Sequence, residues 1–221
     1  MTLLLAIDTS TDQVGLALTD GDTTSELSWH ARQRQTSTIL LGIDHLLGLG
    51  GHAVGDVAAV AVAIGPGSFS GLRVGLSVAK GLVLARDVPV VGISTLLVTA
   101  EPHVSASRPA VAVVGAGRRR LVWAMVEDRD VEPAVVREPV NGSPEELGGF
   151  VAGLVGPVVV CGEVPDELRS LWRDDARIAC PGLSARRPAA LAHLGWDRWR
   201  RGEVDDPATL EPVYVHLASP A

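Results

Sequence analysis

Continuous apolar runs of strand length alternate along this chain with segments whose apolar residues recur at helical spacing. Residues 3–7 and 57–64 are unbroken apolar runs, which predict buried strands. The first run opens a set of three antiparallel strands over residues 3–30, and apolar spacing predicts helices over 35–49 and 70–86. Strands that alternate with helices in this way predict an α/β fold, with mixed sheets flanked by helices.

The second half of the chain repeats this order more weakly. A hairpin is predicted over residues 110–127, with a third strand near Val135. The later elements are predicted at residues 143–154, 157–161, 165–173 and 188–201. We interpret this half as a degenerate echo of the first. The chain is therefore predicted to contain an N-terminal subdomain over residues 1–103 and a C-terminal subdomain over residues 104–221.

Composition indicates a folded protein with an acidic balance. Of the 221 residues, 47% are hydrophobic and 20% are charged, and the net charge is −7. No apolar run has the length of a membrane span and the chain begins directly with a strand, so we expect no membrane segment, no secretory signal and a cytoplasmic location. The net negative charge argues against tRNA binding as the main role of the chain. We interpret the basic groups as exposed hairpin and helix charges; they are Arg118 to Arg120, Arg186-Arg187 and Arg198 to Arg201.

The cysteines and histidines give no sign of a disulfide framework or a metal site. Cys161 and Cys180 lie near predicted strand ends without CxxC spacing, which favours reduced thiols. The six histidines form neither an HExxH nor an HxxxH pair. We therefore predict no metal ligands and no catalytic residues of the metalloprotease type.

A glycine-rich loop follows the central strand. The sequence Gly-Pro-Gly-Ser-Phe-Ser-Gly-Leu-Arg occupies residues 65–73, where Gly65 and Gly67 permit close approach of another backbone or a phosphate, and Ser68 can cap the next helix. Backbone N–H groups in such a loop suit an anion. The loop is not a Walker A motif, because no Gly-Lys-Ser/Thr closes it. A plain chain reversal is the alternative interpretation.

Polar residues also end the first strand. Asp8, Thr9 and Ser10 follow the apolar run, and a second strand resumes after them. An acid that closes the first strand, with hydroxyl groups in the following hairpin, resembles the first phosphate loop of the actin-like ATPase superfold. The alternative is a capped turn in which these side chains bond only to local backbone. The predicted nucleotide-contacting residues, as degenerate or interfacial phosphate loops, are Asp8, Thr9, Ser10, Gly65, Gly67 and Ser68.

Three stretches together resemble the TsaB family, which serves the bacterial machinery that puts threonylcarbamoyl on adenosine 37 of tRNA. They are Ile-Asp-Thr-Ser-Thr at residues 7–11, the loop at 65–73, and Pro-Val-Val-Gly-Ile-Ser-Thr-Leu at 89–96. A Pro-x-Tyr sequence at 212–214 is similar to the closing motif of the family, with His216 in place of the usual arginine. The resemblance implies the actin-like ATPase (ASKHA, ribonuclease H-like) superfold, with two tandem subdomains.

The resemblance also implies the role of a non-catalytic scaffold or activator. Such a subunit would pair mainly with TsaD, the catalytic paralogue, which is recognised by an HxxxH metal motif that this chain lacks. The small ATPase TsaE and a second copy of the chain are further implied partners, and tRNA would be contacted only through the complex. No cofactor would be required, and any ATP or ADP would bind weakly or at an interface.

Small residues recur every fourth position in the helix after the loop. Interior glycine costs a helix about 1 kcal/mol relative to alanine, so close packing is expected to offset this cost. The stripe can pack against the sheet of the chain itself or against a helix of a partner. The resemblance implies that the helices at 36–47 and 70–86 form the joining surface. The predicted partner-binding residues are Leu40, Ile43, Leu47, Gly71, Leu72, Gly75 and Ala79.

The second half departs from the family pattern. Gly115 stands where an acid is usual, so any phosphate or metal contact of that acid is expected to be lost. An autonomous ATPase or small-molecule kinase of the same superfold is the alternative function. That alternative needs an acidic second phosphate hairpin and an adenosine-binding motif, for which Gly115-Ala116-Gly117 and Gly182-Leu183-Ser184 are poor matches.

Overall fold

The computed structural model describes residues 2–32, 34–117, 120–175, 178–179 and 186–215. Their strands and α-helices follow in this order: β1 (Leu3–Asp8), β2 (Gln13–Thr19), β3 (Thr24–His30), α1 (Gln35–Leu49), β4 (Val57–Gly65), α2 (Phe69–Arg86), β5 (Val90–Ser94), α3 (Thr95–Ala100), β6 (Ala110–Gly115), β7 (Leu121–Glu127), β8 (Ala134–Val135), β9 (Val140–Gly142), α4 (Pro144–Ala152), β10 (Val158–Gly162), α5 (Asp166–Leu171), β11 (Ile178–Ala179) and α6 (Pro188–Arg200).

The two sheets share one topology. The first has the order β3-β2-β1-β4-β5, and the second has the order β11-β10-β6-β7-β8, with β9 also paired to β7. In the first sheet β1 is antiparallel to β2 and parallel to β4. In the second sheet β6 is antiparallel to β7 and parallel to β10 in the same way. The structure thus confirms that the second half repeats the strand arrangement of the first, as the sequence indicated.

The sheets and helices form layers with three apolar clusters between them. Helices α1 and α2 cover one face of the first sheet around Ile43 and Leu76. Helices α3 and α6 lie between the two sheets, where Leu96 and Leu191 join one cluster. On the outer face of the second sheet, α4 and α5 pack around Trp123. Apolar burial on both faces explains why the central strands are continuous apolar runs.

Helix α6 belongs to the second half of the sequence but packs on the first sheet. It contacts β1, β2 and β4. The methyl group of Ala61 on β4 lies where a side chain at Gly195 would begin, so the helix and the strand are in close contact. The division into residues 1–103 and 104–221 stays a prediction, and the chain crosses between the two sheets more than once.

The segment after α6, residues 204–215, runs back along the edge of the first sheet. The Asp205 backbone N–H donates to the Val90 carbonyl at 2.9 Å, and Gly92 N–H donates to Asp205 Oδ2 at 2.8 Å. Further along, Val213 N–H donates to the Ile64 carbonyl at 2.7 Å. This C-terminal segment therefore reaches the end of β4, where the glycine-rich loop begins.

The helix limits agree closely with those predicted from the apolar spacing, but two short strands were not predicted. Helix α1 has the predicted limits, and α2 begins after Ser68, whose Oγ accepts the Gly71 N–H. The short strands β9 and β11 have three and two residues, too few for an alternating pattern. Among the described residues, no helix combines the length and the apolar character needed to cross a membrane.

Candidate functional site

Asp8 ends β1 and is buried, and both of its carboxylate oxygens have partners. The Ser10 backbone N–H and hydroxyl donate to Oδ1 at 2.8 and 2.5 Å. Oδ2 accepts a hydrogen bond from Nε of Arg186 at 2.9 Å. The first loop is therefore a turn capped by its own acid, but it is not the purely local turn of the alternative interpretation, because Asp8 also bonds to Arg186 and the Thr9 hydroxyl bonds to the Gly71 carbonyl.

The glycine-rich loop lies directly against this first loop. Ser68 N–H donates to the Ser10 carbonyl at 2.6 Å, and the Thr9 hydroxyl donates to the Gly71 carbonyl at 2.7 Å. A side chain at Gly67 would collide with the Ser10 carbonyl, which explains glycine there. Gly65 has a φ of +114°, a conformation that favours glycine. The structure thus brings the six predicted loop residues together, and their contact with a nucleotide stays a prediction.

Arg186 fills the space beside these loops. Its side chain is 4% exposed, and besides Asp8 it donates from Nη2 to the Thr11 hydroxyl at 2.6 Å. Its Nη1 lies 3.2 Å from Oε1 of Glu163. The interpretation of Arg186 as an exposed charge is therefore wrong, because two carboxylates and a hydroxyl partner it in the interior. Its neighbour Arg187 is exposed as predicted and pairs with Glu26.

Glu163 provides an acid to the second half of the site. It follows β10, and its Oε2 accepts the Gly115 backbone N–H at 3.0 Å. The carboxyl ends of the parallel strands β6 and β10 lie side by side, so an acid after β10 reaches the end of β6. Glu163 therefore brings an acid beside Gly115 from another strand, and the expected loss of a phosphate or metal contact at position 115 stays a prediction. An acid directly after an apolar strand is the sequence signal that would have identified it.

A magnesium nucleotide, which the superfold implies, does not fit this arrangement. The oxygens of Asp8 that would turn toward a metal already accept hydrogen bonds, and the Gly115 N–H that would face a phosphate already donates to Glu163. Burial alone lowers the pKa of the Arg186 guanidinium, but Asp8 and Glu163 outweigh it and raise that pKa above its ordinary value. Arg186 therefore stays charged and paired.

An open cleft of about 760 Å³ adjoins the ion pairs. It lies between the first loop, the start of α2 and the Gly115–Gly117 turn, and Glu163 lines one side. Its charged lining is mixed, with Asp12 and Glu163 against Arg120. Across the part of the chain that the structure describes, no cluster of three or more His, Cys, Asp or Glu side chains could hold a metal ion.

The small-residue stripe of α2 packs on the chain itself. A side chain at Gly75 would collide with the Thr9 hydroxyl, and one at Gly71 would collide with the Thr9 carbonyl. The partner-binding prediction is therefore corrected for six of its seven residues, because they lie on the buried faces of α1 and α2 and not on the surface. These residues are Ile43, Leu47, Gly71, Leu72, Gly75 and Ala79. Leu40 is 60% exposed and remains on the surface.

An aromatic and cationic cluster at the start of α2 was missed by the sequence reasoning. The rings of Phe69 and Tyr214 stack with centroids 5.3 Å apart, and the Arg73 guanidinium lies 4.0 Å from the centre of the Phe69 ring. The Pro-x-Tyr sequence was noted as a motif, but no local pattern relates it to a helix 141 residues away. The tyrosine thus secures the C-terminal segment against the glycine-rich loop.

Several sequence predictions fall on residues whose placement is not described. Arg118, Arg119, Cys180, the Gly182-Leu183-Ser184 sequence and His216 lie outside the described residues. The remaining member of the first basic group, Arg120, donates to the Asn141 side chain and carbonyl, at 3.2 and 2.6 Å. Cys161 is buried in β10.

Glu101 gives a pH-dependent prediction. It ends α3 near His193 and Asp197 of α6, and burial raises the pKa of its carboxyl, with Asp197 adding and His193 and Arg187 opposing. A raised pKa in the folded state means that ionisation disfavours folding, so this cost appears as the pH rises past the ordinary value near 4.5. Glu101→Gln is expected to raise the melting temperature at pH 7 and to leave it unchanged near pH 3. Equal shifts in thermal scans at both pH values would contradict this.

Comparisons with known proteins find related sequences for about half of the chain. A family model described as "TsaD: tRNA N6-adenosine threonylcarbamoyltransferase" matches residues 30–137, just under half of the chain. The "tRNA threonylcarbamoyladenosine biosynthesis protein TsaB" of Escherichia coli is 32% identical over 123 residues, or 55% of this chain and 53% of that protein. TsaB of Haemophilus influenzae is 40% identical over 98 residues, or 44% of this chain and 42% of that protein.

Over about half of its length the chain is similar to TsaB proteins. These matches span about half the length of the curated TsaB relatives. The solved structure "YeaZ from Pseudomonas aeruginosa" superposes with a TM-score of 0.78 at 23% identity, over 97% of this chain and 100% of that one. This likeness confirms the predicted fold class, the actin-like ATPase superfold with tandem mixed sheets flanked by helices.

Proposed function

We propose that this chain is a TsaB-family protein and a non-catalytic accessory subunit in the biosynthesis of threonylcarbamoyladenosine in tRNA. The observation that carries the proposal is its similarity to curated TsaB proteins, which are named for that biosynthesis. The chain would support the transfer of threonylcarbamoyl by pairing with TsaD, the paralogue named as the transferase in the matching family model.

The accessory role is supported by the chemistry of the phosphate loops. A catalytic site needs acids or bases that are free to contact a substrate. Asp8 and Glu163 are instead engaged by Arg186, by Ser10 and by the Gly115 backbone. We infer that the chain needs no cofactor of its own and that ATP or ADP would bind weakly or at an interface with a partner.

The outer faces of α1 and α2 are the surface that we propose for pairing. Both helices bury one face on the first sheet, and the opposite faces expose Leu40, Leu41 and Leu84 at 60%, 70% and 76%. Exposed leucines on neighbouring helices are the kind of apolar surface that a partner helix covers. TsaD would be the main occupant, a second copy of this chain would use the same faces, and TsaE and tRNA would join through the complex.

Depletion of the chain in its own host tests the proposed role. The threonylcarbamoyladenosine content of bulk tRNA, measured by mass spectrometry of nucleosides, is expected to fall and to return when the gene is restored. An unchanged content after depletion would overturn the proposal. Rapid ATP turnover by the isolated chain that Asp8→Ala abolishes would favour the autonomous ATPase instead.

Substitution of exposed leucines tests the pairing surface. The double variant Leu40→Glu/Leu41→Glu is expected to weaken binding to TsaD at least about tenfold, because burying two carboxylates opposes the contact. Its stability should change little, since both side chains are exposed. Leu171→Glu, an equally exposed leucine on α5, is the matched control. Calorimetric titration with TsaD measures both, and equal affinities would place the contact elsewhere.

A further inference from the structure

We propose that Glu163 and Arg186 form an internal ion pair that replaces a bound anion and its cation between the two halves of the fold, so that the halves are joined without a nucleotide. The proposal concerns the architecture of this chain alone and does not rest on its role in tRNA modification. It starts from the disagreement between the superfold, which implies a magnesium nucleotide, and the contacts at the ends of β1 and β6.

Arg186 stands in the position of the cation. It bonds to Asp8 at 2.9 Å and to Thr11 at 2.6 Å, both from the first loop, and lies 3.2 Å from Glu163 of the second half. A cation that bridges the acid of the first phosphate loop to an anion on the other side would make the same set of contacts. Its side chain is almost fully buried, so solvent screens these contacts little.

Glu163 stands in the position of the anion. Its Oε2 accepts the Gly115 backbone N–H at 3.0 Å, and its Oε1 faces Arg186. Backbone N–H groups at the end of a strand are typical donors to phosphate oxygens. The Glu163 side chain is 40% exposed and borders the open cleft, so it is the member of the pair that solvent can reach.

The charge balance explains why the native chain would reject further ions. Asp8 and Glu163 carry two negative charges, and Arg186 carries one positive charge, so the cluster is left with one negative charge. A phosphate would be repelled by it, and a divalent cation would have to displace Arg186 from Asp8. Removing Glu163 or Arg186 should therefore create a site for a small ion with the same sign of charge as the side chain that was removed.

The first test removes the internal anion. Glu163→Ala leaves Arg186 and the Gly115 N–H facing the cleft, so inorganic phosphate is expected to raise its melting temperature by about 3–5 °C at ten times the dissociation constant. Sodium chloride at matched ionic strength is the reference. Glu26→Ala, which removes the carboxylate of the exposed Arg187 pair, is the matched control. A response no larger than that of Glu26→Ala would overturn the proposal.

The second test removes the internal cation. Low millimolar guanidinium chloride is expected to raise the melting temperature of Arg186→Ala, because the ion can occupy the place of the lost side chain. The same salt should leave the melting temperature of the wild-type chain and of Arg187→Ala nearly unchanged, because guanidinium acts as a denaturant only at far higher concentrations. Equal responses of Arg186→Ala and Arg187→Ala would overturn the proposal.

The wild-type chain supplies a test that does not depend on whether the variants fold. Calorimetric titration of the isolated full-length chain with magnesium ATP is expected to show no saturable binding with a dissociation constant below about 1 mM. Saturable binding in that range would overturn the proposal, because the internal pair would then not exclude the nucleotide. This titration does not involve tRNA modification. Nucleotide binding would therefore overturn this proposal without contradicting the proposed function.

Discussion

Gly75→Ala is expected to destabilise this chain, although alanine is the better helix former. The Cβ atom would collide with the buried Thr9 hydroxyl, which already donates to the Gly71 carbonyl. The helix and the first loop must separate to admit it, and overpacking of this kind costs about 1–3 kcal/mol. Gly75→Leu adds three further carbons at the same point and is expected to lower the free energy of unfolding by at least about 3 kcal/mol.

Gly81→Ala is the matched control in the same helix. Gly81 is exposed and has no atom within 4 Å of an added Cβ, so the helix propensity of alanine should raise the free energy of unfolding by up to about 1 kcal/mol. Urea denaturation followed by tryptophan fluorescence compares the two variants. If Gly75→Leu folded with native stability but failed to pair with TsaD, the stripe would be an interface and not an internal contact.

Asp8→Ala is expected to lower the free energy of unfolding by about 3–5 kcal/mol, the range typical of a buried pair that loses one partner. Asp8 and Arg186 are each 4% exposed, so the guanidinium would lose its closest carboxylate without gaining water. The Ser10 hydroxyl and N–H would lose their acceptor in the same substitution. The loss is therefore expected to exceed that of an ordinary surface change.

The control for this variant removes both charges. Asp8→Ala/Arg186→Met leaves no unpaired guanidinium, so it is expected to be more stable than Asp8→Ala alone. Glu26→Ala, which breaks an exposed pair, should change stability by less than about 1 kcal/mol. Chemical denaturation measures all three variants. A loss in Asp8→Ala as small as that in Glu26→Ala would show that the buried pair adds little to stability.

The strands and helices of the first half were predictable because their signals are local. An unbroken apolar run specifies a strand that is covered on both faces, as β4 is, and apolar spacing specified α1 over its whole length. The two loops were predictable for the same reason, since an acid that ends a strand and a pair of glycines before a helix are features of adjacent residues. Strands of two or three residues, such as β9 and β11, contain too few positions to show a period.

The surface of the helices was less predictable than their limits. Periodicity shows which residues of α2 share a face, but it does not show whether a stripe of small residues meets a partner or the chain itself. The contact with Thr9 decided between these two alternatives, and Thr9 is 62 residues from Gly71. Burial on the first sheet likewise withdrew Ile43 from the surface while Leu40, three positions earlier, stayed exposed.

By itself, the sequence determined the order of the elements, the fold class and the two loops, because each depends on residues within one turn or one strand. The tertiary structure alone decided the chemistry between those loops. Arg186 is 178 residues from Asp8 and 23 from Glu163, and no pattern in the sequence relates the three. The physical reason is that a charge becomes buried or exposed through the elements packed around it, and α6 brings Arg186 back to the first sheet from the other end of the chain.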